Sequence, residues 1–195
     1  MFTEKRVFAR PRRSWPDKGF TLAEVLICAL IVTIALVALL SVIPYSTAAS
    51  QSGNQTSTGT FLANQKLEEA KSIPWTSAPV NDCLGLSANA NAAPTVPAGG
   101  ACTLGATNVA AGVALPWFAD EGSAAITSPD GTRHFDGYSR SVRIADCGAG
   151  AGCAGIVDAG MRRVTVSVTF TPGISQNATA AAPRTVTVSM VMAQR

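Results

Sequence analysis

Lys18-Gly19-Phe20-Thr21-Leu22-Ala23-Glu24-Val25-Leu26 marks the point where a short basic segment gives way to an apolar run that lasts to Ile43. The 24 residues from Phe20 to Ile43 carry one formal charge, Glu24. Wound as a helix, that run is about 36 Å long, enough to cross a hydrocarbon core of about 30 Å. Hydrophobicity therefore predicts one membrane-spanning helix, and the carboxylate is its anomaly. A charge at mid-membrane costs about 2.5–3.5 kcal/mol on insertion scales, somewhat less near an end, so a carboxylate kept there has a task.

The charge distribution sets the topology. Six basic residues precede Phe20 (Lys5, Arg6, Arg10, Arg12, Arg13, Lys18) against Glu4 and Asp17, while the remainder holds nine basic and ten acidic residues. The overall +3 therefore belongs to the leader. It reads as a cytoplasmic anchor signal that sends the C-terminal part across the membrane, and not as a nucleic-acid surface. An ordinary secretory signal would need small residues at a cleavage site after the apolar run, which Ser46-Thr47-Ala48-Ala49 supply only weakly. The run is also longer than a usual signal core.

Gly19-Phe20-Thr21-Leu22-Ala23-Glu24-Val25-Leu26 resembles the processing site of type IV prepilins and of the related type II secretion pseudopilins. The shared pattern is a basic leader ending in Gly, an aromatic first mature residue, Glu fifth in the mature chain, and a long apolar helix. The resemblance covers about a quarter of the chain. It implies a prepilin peptidase and N-methyltransferase that cuts between Gly19 and Phe20 and methylates the new Phe20 amine. It also implies packing of the helix against other pilins or pseudopilins, with an inner-membrane assembly platform as a further partner. Glu24 is then the assembly residue. The implied location is the inner membrane with a periplasmic head, then a pilus or pseudopilus filament.

Four segments follow from this reading: a cleaved leader 1–19, a transmembrane and assembly helix 20–43, a helix continuation 44–74, and a globular head 75–195. Pro44 lacks an amide hydrogen and should kink or interrupt the helix. Ser46 to Thr60 is rich in poor helix formers, and Gly53 and Gly59 each cost about 1 kcal/mol relative to Ala. The pattern recovers in 61–73. There Ala63, Leu67 and Ala70 share a face with Ile73 close by, and Lys66, Glu68, Glu69 and Lys71 are expected to point away. Leu62 to Trp75 also resembles the corresponding helix of minor pilins and minor pseudopilins.

Residues 76–116 show no sustained period and read as a long surface loop region held by Cys83 and Cys102, with Leu115-Pro116-Trp117-Phe118 docking on the core. Asp120 to Gly137 is turn-rich. Tyr138, Val142 and Ile144 form a short extended run interrupted by Arg140 and Arg143. Val164, Val166, Val168 and Phe170, then Val186, Val188, Met190 and Met192, alternate with hydroxylated residues at the strict period of strands. Three antiparallel strands at least, joined across Pro172-Gly173 and Pro183 by a loose hairpin connection, should cover the amphipathic end of the helix. The fold class is therefore α+β, and the family resemblance implies the same pilin-like arrangement.

No catalytic or metal motif is present, and no cofactor is expected. His134, the single histidine, lies in a turn near Asp130 and Asp136 and reads as a solvated loop residue. Ser128, Asp130, Thr132 and the Asp136-Gly137 pair offer oxygen ligands for calcium, although Asp-Gly is also a common turn pair. Five cysteines make an odd count. Cys28 lies in the apolar helix, where it is a small apolar residue. Cys83, Cys102, Cys147 and Cys153 lie in the translocated part, an oxidising space. Their three alternative pairings stay open, with Cys83–Cys102 and Cys147–Cys153 closing the shortest loops.

Overall fold

A computed structural model describes residues 19–149, 153–172 and 182–195. Residues 1–18, most of the expected leader, and much of the connection between Pro172 and Pro183 lie outside the described residues. The chain divides into two compact units between Ser46 and Thr47.

In the first unit, Gly19, Phe20 and Thr21 are non-helical, and helix α1 (Leu22–Ser72) begins. The helix starts two residues later than the apolar run because Thr21 caps it. The Thr21 side-chain oxygen accepts the Glu24 amide at 3.3 Å, satisfying one of the orphan donors of a first turn. From Leu22 to Tyr45 the large apolar side chains are exposed on every face of the helix. A helix apolar all round is one whose partner is lipid or other protein, and this one is long and apolar enough to cross a membrane.

Pro44 does not interrupt the helix, which runs through it. A missing amide hydrogen removes one rung of the ladder, and the flanking turns are continuous. The Ser/Thr-rich stretch is helical as well. Its hydroxyls turn back onto the helix, with Thr56 donating to the Ser52 carbonyl at 2.9 Å, Thr58 to Asn54 at 3.0 Å and Thr60 to Thr56 at 2.9 Å. That satisfies polar groups locally in a sequence of low intrinsic propensity.

In the second unit, the part of α1 that carries Leu62, Ala63, Leu67 and Ala70 shares one core with the inner face of a three-stranded antiparallel sheet. Its strands are β5 (Tyr138–Asp146), β6 (Met161–Phe170) and β7 (Arg184–Ala193), in that order. The register stacks Val142, Val166 and Val188 in one inward row, and Ile144, Val164 and Met190 in the next. Gly59 is where the helix approaches the sheet. A Cβ there would stand 3.4 Å from the Phe170 ring and 3.5 Å from Val186 Cγ2, so its low helix propensity is offset by close contact.

Two further expectations need correction here. Residues 76–116 are not a surface loop region. They hold two short hairpins, β1 (Trp75–Ser77) with β2 (Val80–Asp82) and β3 (Cys102–Leu104) with β4 (Thr107–Val109). Leu84, Val96, Val109 and Leu115 are buried in the core beside Phe118, which lies on a single 3-10 turn. Strands of three residues are too short for periodicity to reveal. Gly85 fixes the path between them: its φ is +72°, and a Cβ would meet Leu115 at 2.5 Å and the Thr95 carbonyl at 2.8 Å, so only glycine fits.

The second correction is Lys66, which does not point away but is buried at 4% exposure. Its ammonium reaches Glu69 at 2.8 Å and Glu121 at 3.7 Å. Glu121 lies far along the chain, so helical spacing gave no sign of the partner that lets the lysine turn inward.

Candidate functional site

The site built around Gly19 to Glu24 is open and regular. Gly19 and Phe20 are exposed and precede the helix, and among the described residues nothing lies within 4 Å of where a Gly19 Cβ would stand. Thr21 and Glu24 then form the first turn, where Glu24 also lies near the positive end of the helix dipole. Thr21-Leu22-Ala23-Glu24 has the spacing of a capping box, a second structural use for Glu24 that the charge pattern alone did not suggest. Cys28 is a free, exposed thiol on the same helix.

The head is closed by two disulfides. Cys83 and Cys102 are bonded across a separation of 19 residues, and Cys147 and Cys153 across 6. The first ties the start of the segment after β2 to β3. The second closes the turn between β5 and β6.

Three ion clusters tie the remaining elements together. Arg140 on β5 is buried at 5% exposure, pairs with Glu121, and donates to the Leu62 carbonyl of α1 at 3.0 Å. With Lys66 on the other side of Glu121, two cations share one carboxylate between helix and sheet. Arg162 on β6 forms a two-pronged pair with Asp82 at 2.6 and 2.7 Å and lies 4.4 Å from the centre of the Trp75 ring. Arg143 faces the other side of the sheet, bonded to Asp120 at 2.6 and 2.9 Å. That carboxylate raises the Arg143 pKa further, against a smaller opposing effect of burial.

The turn around Asp130 behaves as a turn. The carboxylate accepts hydrogen bonds from the Ser128 hydroxyl, from the Thr132 hydroxyl at 2.7 Å and from the Thr132 amide at 3.2 Å. The Ser128 bond is the largest cause, and together they lower the Asp130 pKa from 3.8 to about 2. His134 bridges to Thr127 in the same turn, and Asp130 is engaged by its hydroxyl neighbours. Among the described residues no group of three His, Cys, Asp or Glu side chains converges on a point. The depressed value fixes the sign of the pH effect. The turn's stabilisation is complete above the unfolded value of 3.8 and is lost as pH falls through about 2. Carboxyl-carbon NMR titration should therefore place the Asp130 midpoint near 2, and Ser128→Ala should move it upward.

Contrary to expectation, Arg140 and Arg143 do not interrupt the extended run, because β5 is continuous through both. The parity of Arg140 and Arg162 accounts for their burial. They stand in phase with Val142 and Ile144 on β5, and with Val164 and Val166 on β6, so the alternation that buries the valines buries them too. What parity could not supply was the partner, since Glu121 and Asp82 lie in irregular or very short elements.

Comparison with known proteins bears on the first site. Residues 16–40 match the family model for the prokaryotic N-terminal methylation motif, the signature of type IV prepilins. The chain thus carries the mark of a type IV pilin-like or pseudopilin precursor, on a pilin-like α+β frame. No curated protein and no solved structure matches the chain.

Proposed function

We propose that this protein is a minor pilin, a structural subunit of a type IV pilus or of the complex that initiates its assembly. The observation that carries the reading is the order of Gly19, Phe20 and Glu24 at the head of a helix apolar on every face, within the matched methylation motif. A prepilin peptidase hydrolyses the Gly19–Phe20 bond, and the freed Phe20 amine is N-methylated. The subunit then leaves the bilayer sideways into a filament whose core is packed apolar helices. In that core Glu24 meets the terminal amine of a neighbour. Burying the two charges together avoids burying either alone, so the pair sets register more than it adds net stability. The head stays periplasmic and needs no active site for this task.

A minor pseudopilin of a type II secretion system would mature in the same way, and the methylation motif is common to both readings. Deletion separates them: loss of piliation and twitching supports the pilus, loss of protein secretion the secretion system.

Maturation is tested at Gly19. The mature chain should begin at a methylated Phe20, read by N-terminal sequencing and mass. Gly19→Val should leave the precursor uncut, because the bond must pass closely through the protease and a residue without Cβ permits that. Since no described residue would meet a Gly19 side chain, the head of the variant should fold as in the parent, and unchanged disulfides would check this. Normal processing of Gly19→Val would count against the reading.

A further inference from the structure

The face of the sheet turned away from the helix carries rows of hydroxyl groups. Ser139, Thr169 and Thr185 stand in register, then Ser141, Ser167 and Thr187, then Arg143, Thr165 and Ser189, then Ala145, Arg163 and Val191. Between this face and the loop that follows Gly85 lies a groove of about 400 Å³, lined by Ser87, Asn89, Arg143, Arg163, Thr165 and Ser167 among others. The loop is held as a wall. Ser87 donates its amide to the Ile144 carbonyl at 2.8 Å, its hydroxyl accepts the Ile144 amide at 3.0 Å, and Arg143 donates to the Ala90 and Asn91 carbonyls.

The two arginines of the groove differ. Arg143 is neutralised by Asp120 and has committed its guanidinium to that carboxylate and to carbonyls. Among the described residues Arg163 has neither. Its neighbours across the sheet are Ala145 and Val191, which have no side-chain acceptor, and its Nε is buried with no hydrogen-bond partner among those residues. A buried donor left unpaired is costly, and the Asp120 carboxylate on this face is already taken by Arg143, so it does not serve as a dedicated counter-charge for Arg163. An anion seated in the groove supplies the counter-charge to the guanidinium, because the arginine fork matches a carboxylate or phosphate. The hydroxyl and amide groups of Thr165, Ser167 and Asn89 are partners for a ring of alcohols.

We propose that this groove binds an acidic saccharide, with its carboxylate or phosphate on Arg163 and its hydroxyls on Thr165, Ser167 and Asn89. The proposal rests on the head alone and stands whether the subunit belongs to a pilus or a secretion system.

The test is calorimetric titration of the full chain in detergent micelles with four probes: oligogalacturonate, glucose 6-phosphate, neutral dextran and polyglutamate. Binding of either acidic sugar, without binding of dextran, is the expected result, and which of the two binds distinguishes carboxylate from phosphate. Arg163→Gln should weaken that binding about tenfold or more, and Thr165→Val by a smaller factor. Arg163→Lys keeps the charge but loses the fork, and it should fall between parent and Arg163→Gln. Intact disulfides and an unchanged unfolding midpoint verify the folded state. Should Arg163→Gln fail to fold, Arg163→Lys and Thr165→Val still decide the matter. Acidic sugars that bind the parent and these variants equally overturn the proposal. So does polyglutamate binding as tightly as the sugars, which would assign the groove to an acidic protein segment, and so does an absence of sugar binding by the parent.

Discussion

Glu24→Gln is expected to insert and to be cut as the parent is, yet to reach surface filaments at about one tenth of the parent's level or less. Three roles for Glu24 compete, and magnitude separates them. As an acid near a helix N-terminus it contributes about 0.3–1 kcal/mol. As part of a capping box with Thr21 it contributes on a similar scale, since the Thr21 hydroxyl already holds the Glu24 amide. As the counter-charge of a buried terminal amine it is worth several kcal/mol, because removing one partner leaves the other unpaired in an apolar core. Glutamine keeps the box, which accepts Glu or Gln, and removes only the charge. Glu24→Ala removes both. If assembly needs the carboxylate, the two variants should be equally defective, and insertion should be no worse, since losing a charge relieves a desolvation cost. The measurement is the processed fraction together with the share of each variant in sheared filaments. Rescue by glutamine would reduce Glu24 to a helix cap, and recruitment would then have to run through the head.

What the sequence disclosed followed the range of the interactions involved. The apolar run, the period of two in β6 and β7, and the Leu62–Ile73 face are each set by residues a few positions apart, and they are found where periodicity puts them. Thr21 as the cap was within reach too, since the Thr-x-x-Glu spacing was in plain view. The burial of Lys66 was not, because its partner Glu121 is far away in sequence and near only once the sheet has formed. The hairpins of residues 75–109 were hidden for a different reason. Three-residue strands carry no measurable period, and their position is set by a disulfide, a positive-φ glycine and contacts with Leu115. The groove on the outer face depends on strand register, which a one-residue slip would have turned inside out.

Asp82→Ala should destabilise the head by about 3–5 kcal/mol, the usual cost of breaking a buried ion pair from one side. Asp82 and Arg162 are 7% and 8% exposed. The carboxylate receives both prongs of the guanidinium and also the Gly85 amide at 2.8 Å, while Arg162 donates to the Gly85 carbonyl at 3.2 Å. Removing Asp82 therefore strands a charge and an amide in one place, and frees the turn that Gly85 shapes. It also loosens the junction of β2 with β6, because the Asp82–Arg162 pair is what joins those two strands. Urea unfolding followed by tryptophan emission is a suitable assay, since Trp75 stacks beneath the Arg162 guanidinium and responds to its release. The double variant Asp82→Ala with Arg162→Met is the decisive control. Methionine keeps much of the length of the arginine stem and brings no charge to be buried, so most of the loss should be recovered. If the double variant is as unstable as the single one, the loss comes from the Gly85 turn and not from the stranded guanidinium. If Asp82→Ala costs under about 1 kcal/mol, the site is wetter than its burial indicates and the pair behaves as a surface one.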